Sequence, residues 1–148
     1  MATTTLAKSP RVVVASGYFS VLHVGHIEYL EKSKQLGDVL IVIVNNDHQN
    51  RLKKGHVFMP ARERVRVIRA LRCVDAVVES IDEDRSVCKT LAMLHPDVFT
   101  NGGDQFNESI PEASVCQEMG IQMVDGLGSK IQSTTNLLAH EVAEHQAK

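Results

Sequence analysis

Val39-Leu40-Ile41-Val42-Ile43-Val44 leaves this chain few ways to fold. All but one of these six residues are β-branched, stiff at the first side-chain torsion and best accommodated on a pleated strand. No polar residue alternates with them, so neither face of the strand meets water, which is the condition inside a parallel sheet covered on both sides. The run should lie at the centre of that sheet and end in the turn Asn45-Asn46-Asp47. Arg11-Val12-Val13-Val14-Ala15-Ser16 reads the same way and stops at Gly17. Shorter strands are expected at Ala76-Val77-Val78, Val98-Phe99-Thr100 and Ile121-Gln122-Met123-Val124.

Helical patterns fill the intervals. One runs from Ile27 to Leu36, offering Ile27, Leu30 and Leu36 to a core and stopping at Gly37. A second opens behind Pro60 and repeats Val65, Ile68 and Leu71. A third follows Asp82-Glu83-Asp84-Arg85 with Val87, Leu91 and Leu94; a short one spans Glu112 to Met119, and a terminal one spans Leu137 to His145. His48 to Met59 has no apolar period and reads as a mobile, basic loop. Strands alternating with helices imply an α/β protein: a single-domain, Rossmann-like, three-layer α/β/α sandwich around a parallel five-stranded sheet. The domain occupies 11–148, preceded by a Thr-rich flexible tail over 1–10.

Composition narrows the partners. With 16 Lys and Arg against 18 Asp and Glu, the net charge of −2 provides no global field for nucleic acid or an anionic membrane. No apolar run approaches the roughly 18 residues that a membrane span requires. Cys73, Cys88 and Cys116 match neither a zinc ligand set nor a redox pair and read as reduced, buried thiols, so a cytoplasmic location is expected. His140 and His145 are five apart where a helical zinc pair needs four, and are assigned to the surface. Glu79 to Asp84 reads as solvated acid.

Chemistry concentrates after the first strand. In His23-Val24-Gly25-His26, an offset of three brings two imidazoles towards one spot if a helix starts there. Gly25 lets a ligand approach the backbone, and the free N–H groups of a helix start favour an anion. The loops Gly17 to His26, Asn45 to Gly55, Asn101 to Asp104 and Gly126 to Thr135 all follow strands, so they gather on the sheet edge where open α/β folds bind ligands.

From Arg11 to Leu138 the chain resembles the cytidylyltransferase-like nucleotidyltransferases. Gly17-Tyr18-Phe19-Ser20-Val21-Leu22-His23-Val24-Gly25-His26 is similar to that family's G-x-F-D-x-x-H-x-G-H signature, and Ser133-Thr134-Thr135 to its second signature opening the last helix. Within the family, Val44-Asn45-Asn46-Asp47 and Asn101-Gly102-Gly103-Asp104 are most similar to the adenylyltransferase domain acting on heptose 1-phosphate, with glycerol-3-phosphate cytidylyltransferases next. The resemblance implies His23, His26, Lys54 and Arg64 as catalytic residues, with Lys54 as the loop lysine and Arg64 on the nucleotide phosphates. It implies a nucleotide site including Gly17, Tyr18, Phe19, Gly25, Asn101, Gly103, Asp104, Ser133, Thr134 and Thr135. Two departures stand out: Ser20 replaces the signature aspartate, and Ser129-Lys130-Ile131-Gln132 replaces the R-T-x-G of CTP-using members, leaning the reading to ATP.

The implied reaction transfers a nucleoside monophosphate from ATP or CTP to a phosphorylated small molecule such as a sugar or polyol phosphate, releasing pyrophosphate. Magnesium (Mg2+) would arrive mainly on the nucleotide, since no carboxylate cage is evident and no protein metal ligand is assigned. The resemblance also implies a homodimer. The alternative is a non-catalytic nucleotide-binding module of the same fold, which Ser20 favours and the intact His23, Gly25 and His26 oppose. A tRNA-directed enzyme needs a basic surface and a further domain, and a redox dinucleotide fold needs a G-x-G-x-x-G that the first strand lacks.

Overall fold

The computed structural model describes residues 9–102 and 110–127. Its elements run β1 (Val12–Gly17), α1 (Val24–Lys34), β2 (Val39–Val44), α2 (Asp47–Lys54), α3 (Ala61–Arg69), β3 (Ala76–Glu79), α4 (Cys88–Leu94), β4 (Val98–Gly102), α5 (Glu112–Met119) and β5 (Gln122–Leu127). The strands form one five-stranded parallel sheet in the order β3-β2-β1-β4-β5. The expected three-layer α/β/α architecture is present. The expected tail over 1–10 falls mostly outside the described residues, as do Gly103, Asp104, Ser133, Thr134, Thr135 and the helix from Leu137.

Both faces of the sheet are covered, as the unbroken apolar strands require. Val13 and Ala15 of β1 pack with Tyr29 and Leu30 of α1 and Ile68 of α3, and Val65 and Leu71 close around them. On the opposite face Val14 packs with Val87, Leu91, Phe99 and Cys116. The cysteines are reduced, but of the three expected to be buried only Cys116 is, Cys73 and Cys88 being half-buried; burial pushes the Cys116 thiol up to about 11.

The centre of the sheet is β1, not β2 as its composition suggested. Chain order explains the difference: β2 and β3 add to one side of β1, after which β4 returns to its other side. That reversal makes the carboxyl end of β1 the switch point at which such sheets bind ligands. At the opposite edge, Asp38, Asp75 and Asp97 each precede a strand and accept a backbone N–H from the neighbouring segment, on Arg11, Leu40 and Val12 at 2.7, 2.8 and 2.8 Å. The three carboxylates fix the register of β1 and β2 at their entry.

The basic stretch after β2 is helical, which corrects the loop expected over His48 to Met59. Its apolar period is missing because α2 buries Gln49 and Asn50 rather than hydrocarbon. The signal lay in the capping box, in which Asn46 accepts from the Gln49 amide and Gln49 from the Asn46 amide, at 2.8 and 3.0 Å. Gly55, at φ 80°, ends the helix in the left-handed conformation that glycine adopts at little cost. Among the described residues no helix is long and apolar enough to cross a membrane.

Candidate active site

The carboxyl end of β1 turns sharply. Phe19 adopts a left-handed backbone at φ 52°, uncommon for a side-chain-bearing residue, and folds its ring back over Gly17. A Cβ at Gly17 would lie 2.7 Å from the ring, so the close approach explains the glycine. The same ring meets His26 edge-on at 5.3 Å between centroids. Ser20 is buried and its hydroxyl has no protein partner, so here it caps neither the turn nor the helix.

His23 is the N-cap of α1 rather than a residue inside it. Its Nδ1 accepts from the Gly25 amide at 3.1 Å, and His26 Nδ1 accepts from the His23 amide at 3.3 Å. An amide N–H only donates, so both Nδ1 atoms are unprotonated and each neutral ring carries its proton on Nε2. The rings stack with centroids 3.9 Å apart and planes 25° apart. The expected convergence of the two imidazoles is therefore present, reached through a reciprocal cap. Tyr29 holds α1 from below by donating to Thr100 O at 2.9 Å.

The pair is uncharged. Burial lowers the His23 pKa, and burial, then His23, then Lys54 push His26 down to about 4. In the free protein the His26 ring should remain neutral with its proton on Nε2 at pH 6, which long-range proton–nitrogen spectra would show; a cationic ring there contradicts the geometry. The unfolded chain takes up this proton near 6.5, so His26 favours the native state above that pH. The contribution is lost as pH falls from 6.5 towards 4.

Positive charge comes from α2, where Lys54 acts on His26 and Lys53 lies 4.2 Å from the centre of the Tyr18 ring. Arg64 is placed differently from the expectation that it contacts phosphates. Its side chain is fully buried and donates to Met59 O at 2.7 Å, Tyr18 O at 2.9 Å, Asn45 O at 2.6 Å and Asp47 Oδ1 at 3.0 Å. Four of a guanidinium's five N–H donors are thereby spent tying three loops together. Asn101 is buried at the end of β4.

The segment after β3 was not legible as part of the site. Asn46 donates to Ser80 O and Asp82 O at 2.9 and 2.8 Å, and Gln49 to Asp84 O and Ser86 O, both at 2.7 Å. Asp82, expected in solvent, is buried and accepts from the Lys89 and Thr90 amides at 2.7 and 3.0 Å, capping α4. The loop so fixed carries Arg85 to the Tyr18 hydroxyl. No group of three or more His, Cys, Asp or Glu among the described residues could hold a metal ion. The site offers hydrogen-bond donors and ammonium groups, which suit phosphate oxygens.

A cytidylyltransferase-like family model matches residues 14–127. The chain belongs to the cytidylyltransferase-like family. It is 44% identical over 120 residues to the bifunctional protein HldE of Streptomyces coelicolor and 38% identical over 127 residues to that of Citrifermentans bemidjiense. These matches cover 80% and 81% of this chain but 26% of each relative, so the chain spans about a quarter of their length. Among solved structures it is similar to a lipopolysaccharide core biosynthesis protein from Thermoplasma volcanium, with a TM-score of 0.70 and 30% identity over 81% of this chain and 98% of that one. The family assignment makes this a nucleotidyltransferase domain, and its signature is the segment that folds into the stacked histidine cap.

Proposed function

We propose that the domain transfers a nucleoside monophosphate from a nucleoside triphosphate, ATP in preference to CTP, to a phosphorylated small molecule such as a sugar or polyol phosphate. The observation carrying this reading is the histidine pair with both protons held on Nε2. A phosphate oxygen of the acceptor attacks the α-phosphorus and forms the new O–P bond. The bond from the α-phosphorus to the bridging oxygen breaks, and its electron pair leaves with pyrophosphate. The attacking oxygen is already anionic, so no general base is required, and the chain's task is to position the groups and offset developing charge. His23 and His26 supply neutral donors fixed in advance, Lys54 supplies charge, and the start of α1 adds backbone N–H groups. Magnesium enters as part of the nucleotide substrate. The absent R-T-x-G and the segment Asn101-Gly102-Gly103-Asp104 support ATP. The same reading has the chain act in the cytoplasm as a homodimer.

The test is pyrophosphate release with magnesium, each of ATP, CTP, GTP and UTP, and a panel of sugar 1-phosphates, glycerol 3-phosphate, an amino-alcohol phosphate and a flavin phosphate. Release should require both substrates and be fastest with ATP. Tight nucleotide binding with no release across the panel would instead support a non-catalytic module.

A further inference from the structure

Three side chains from three separate segments meet beside the histidines, and two of them, Lys53 and Arg85, have no role in the reaction as described. Tyr18 leaves β1, Lys53 lies on α2, and Arg85 sits in the segment between β3 and α4. The Lys53 ammonium covers the face of the Tyr18 ring at 4.2 Å, while Arg85 lies near enough to lower the pKa of its hydroxyl against the effect of burial. Neither cation is in an ion pair: among the described residues those pairs are Lys32 with Glu28, Lys34 with Asp75 and Arg64 with Asp47. Glu112, the acid that faces Tyr18, has its carboxylate engaged by the Val87 amide at 2.8 Å. One turn back from Lys53 on α2, Asn50 is fully buried and neither of its amide atoms has a protein partner. The flank therefore has two cations outside any ion pair among the described residues.

Topology says which phosphate this cluster faces. Displacement at phosphorus requires the attacking and leaving oxygens on roughly opposite sides. The strands that precede the later segments read as holding the nucleotide, β4 and β5, lie on one side of β1, whereas β2 and β3, which precede Lys53 and Arg85, lie on the other. The histidines, at the end of β1, stand between. We propose that Lys53 and Arg85, gathered on Tyr18, hold the phosphate of the acceptor molecule and aim its oxygen at the α-phosphorus. This rests on the nucleotidyltransferase reading and adds to it a binding subsite for the second substrate. The cluster moves no proton; it restrains a dianion that becomes the diphosphate bridge of the product. Lys53 bears the electrostatic mark of such a place, since burial, then Lys54 and Arg85, lower its pKa below the ordinary lysine value.

Tyr18 provides the readout. The chain contains no Trp and two Tyr, of which Tyr29 is buried with its hydroxyl held by Thr100 O. Tyrosine emission of the full chain, with and without saturating magnesium and the α,β-methylene analogue of ATP, is titrated with inorganic phosphate and with methyl phosphate. The wild type should respond saturably. Lys53→Ala and Arg85→Ala should each weaken that response at least tenfold and leave affinity for the analogue within twofold; Arg85→Lys should recover part of it. Equal phosphate affinity in wild type and variants overturns the proposal, as does a wild type without a saturable response. Parallel loss of analogue affinity assigns the cluster to the nucleotide and also overturns it. If the wild type fails to bind the analogue, the ATP preference of the nucleotidyltransferase reading fails, while the titration without analogue still decides whether the cluster takes a phosphate.

Discussion

Replacing His26 with Ala should lower turnover at least a hundredfold in the pyrophosphate assay while leaving a folded protein. One preorganised donor to a developing oxyanion is typically worth about 2.7–4 kcal/mol, or roughly 10²–10³ in rate. Ala also removes the acceptor for the His23 amide, a capping loss of about 0.5–2 kcal/mol. His26→Asn separates the two effects. Its side-chain oxygen can still take the His23 amide, so stability should return towards wild type, but it places no donor where Nε2–H stood, so turnover should stay low. Near-normal turnover in a folded His26→Ala protein would remove His26 from the mechanism.

Arg64→Ala should instead act on stability. Truncation strands the carbonyl groups of Tyr18, Asn45 and Met59 and leaves Asp47 without its ion pair. Removing one partner of a buried charged network costs on the order of 3–5 kcal/mol. Even the lower figure is a fall in melting temperature of roughly 6–12 °C for a domain near this size. Arg64→Lys should recover less than half, because one ammonium cannot span four acceptors on three segments. Any loss of nucleotide affinity would follow from displaced loops. A variant with unchanged melting temperature and weakened nucleotide binding would place the guanidinium on the phosphates after all.

The parts of this structure that were legible in the sequence are those written in hydrocarbon. The apolar run of β2 gave its bounds to the residue, and Val65, Ile68 and Leu71 placed α3 against the sheet because each packs in the core. What escaped is written in polar atoms. Helix α2 buries amides, so its hydrophobic period was absent and only the pairing of Asn46 with Gln49 signalled it. Asp82 reads as solvated acid because no local pattern shows that Thr90 folds back to enclose it. The histidine pair was visible through its spacing and its helix start, but its neutrality was not, since that depends on the direction of two backbone amides. Arg64 was singled out for its register with a family motif, and register says nothing about whether a side chain faces substrate or the interior. Arg85 lies 67 residues from Tyr18 by number, and only the hydrogen bonds of Asn46 and Gln49 bring its loop across.

A crystal structure of the full chain with magnesium and α,β-methylene ATP is the most direct test. Oxygens of the α-phosphate should lie within about 2.7–3.2 Å of Nε2 on both His23 and His26, with the two Nδ1 atoms still facing their backbone amides. A triphosphate seated away from both rings, or held while either ring has turned its Nε2 into the core, would contradict the account.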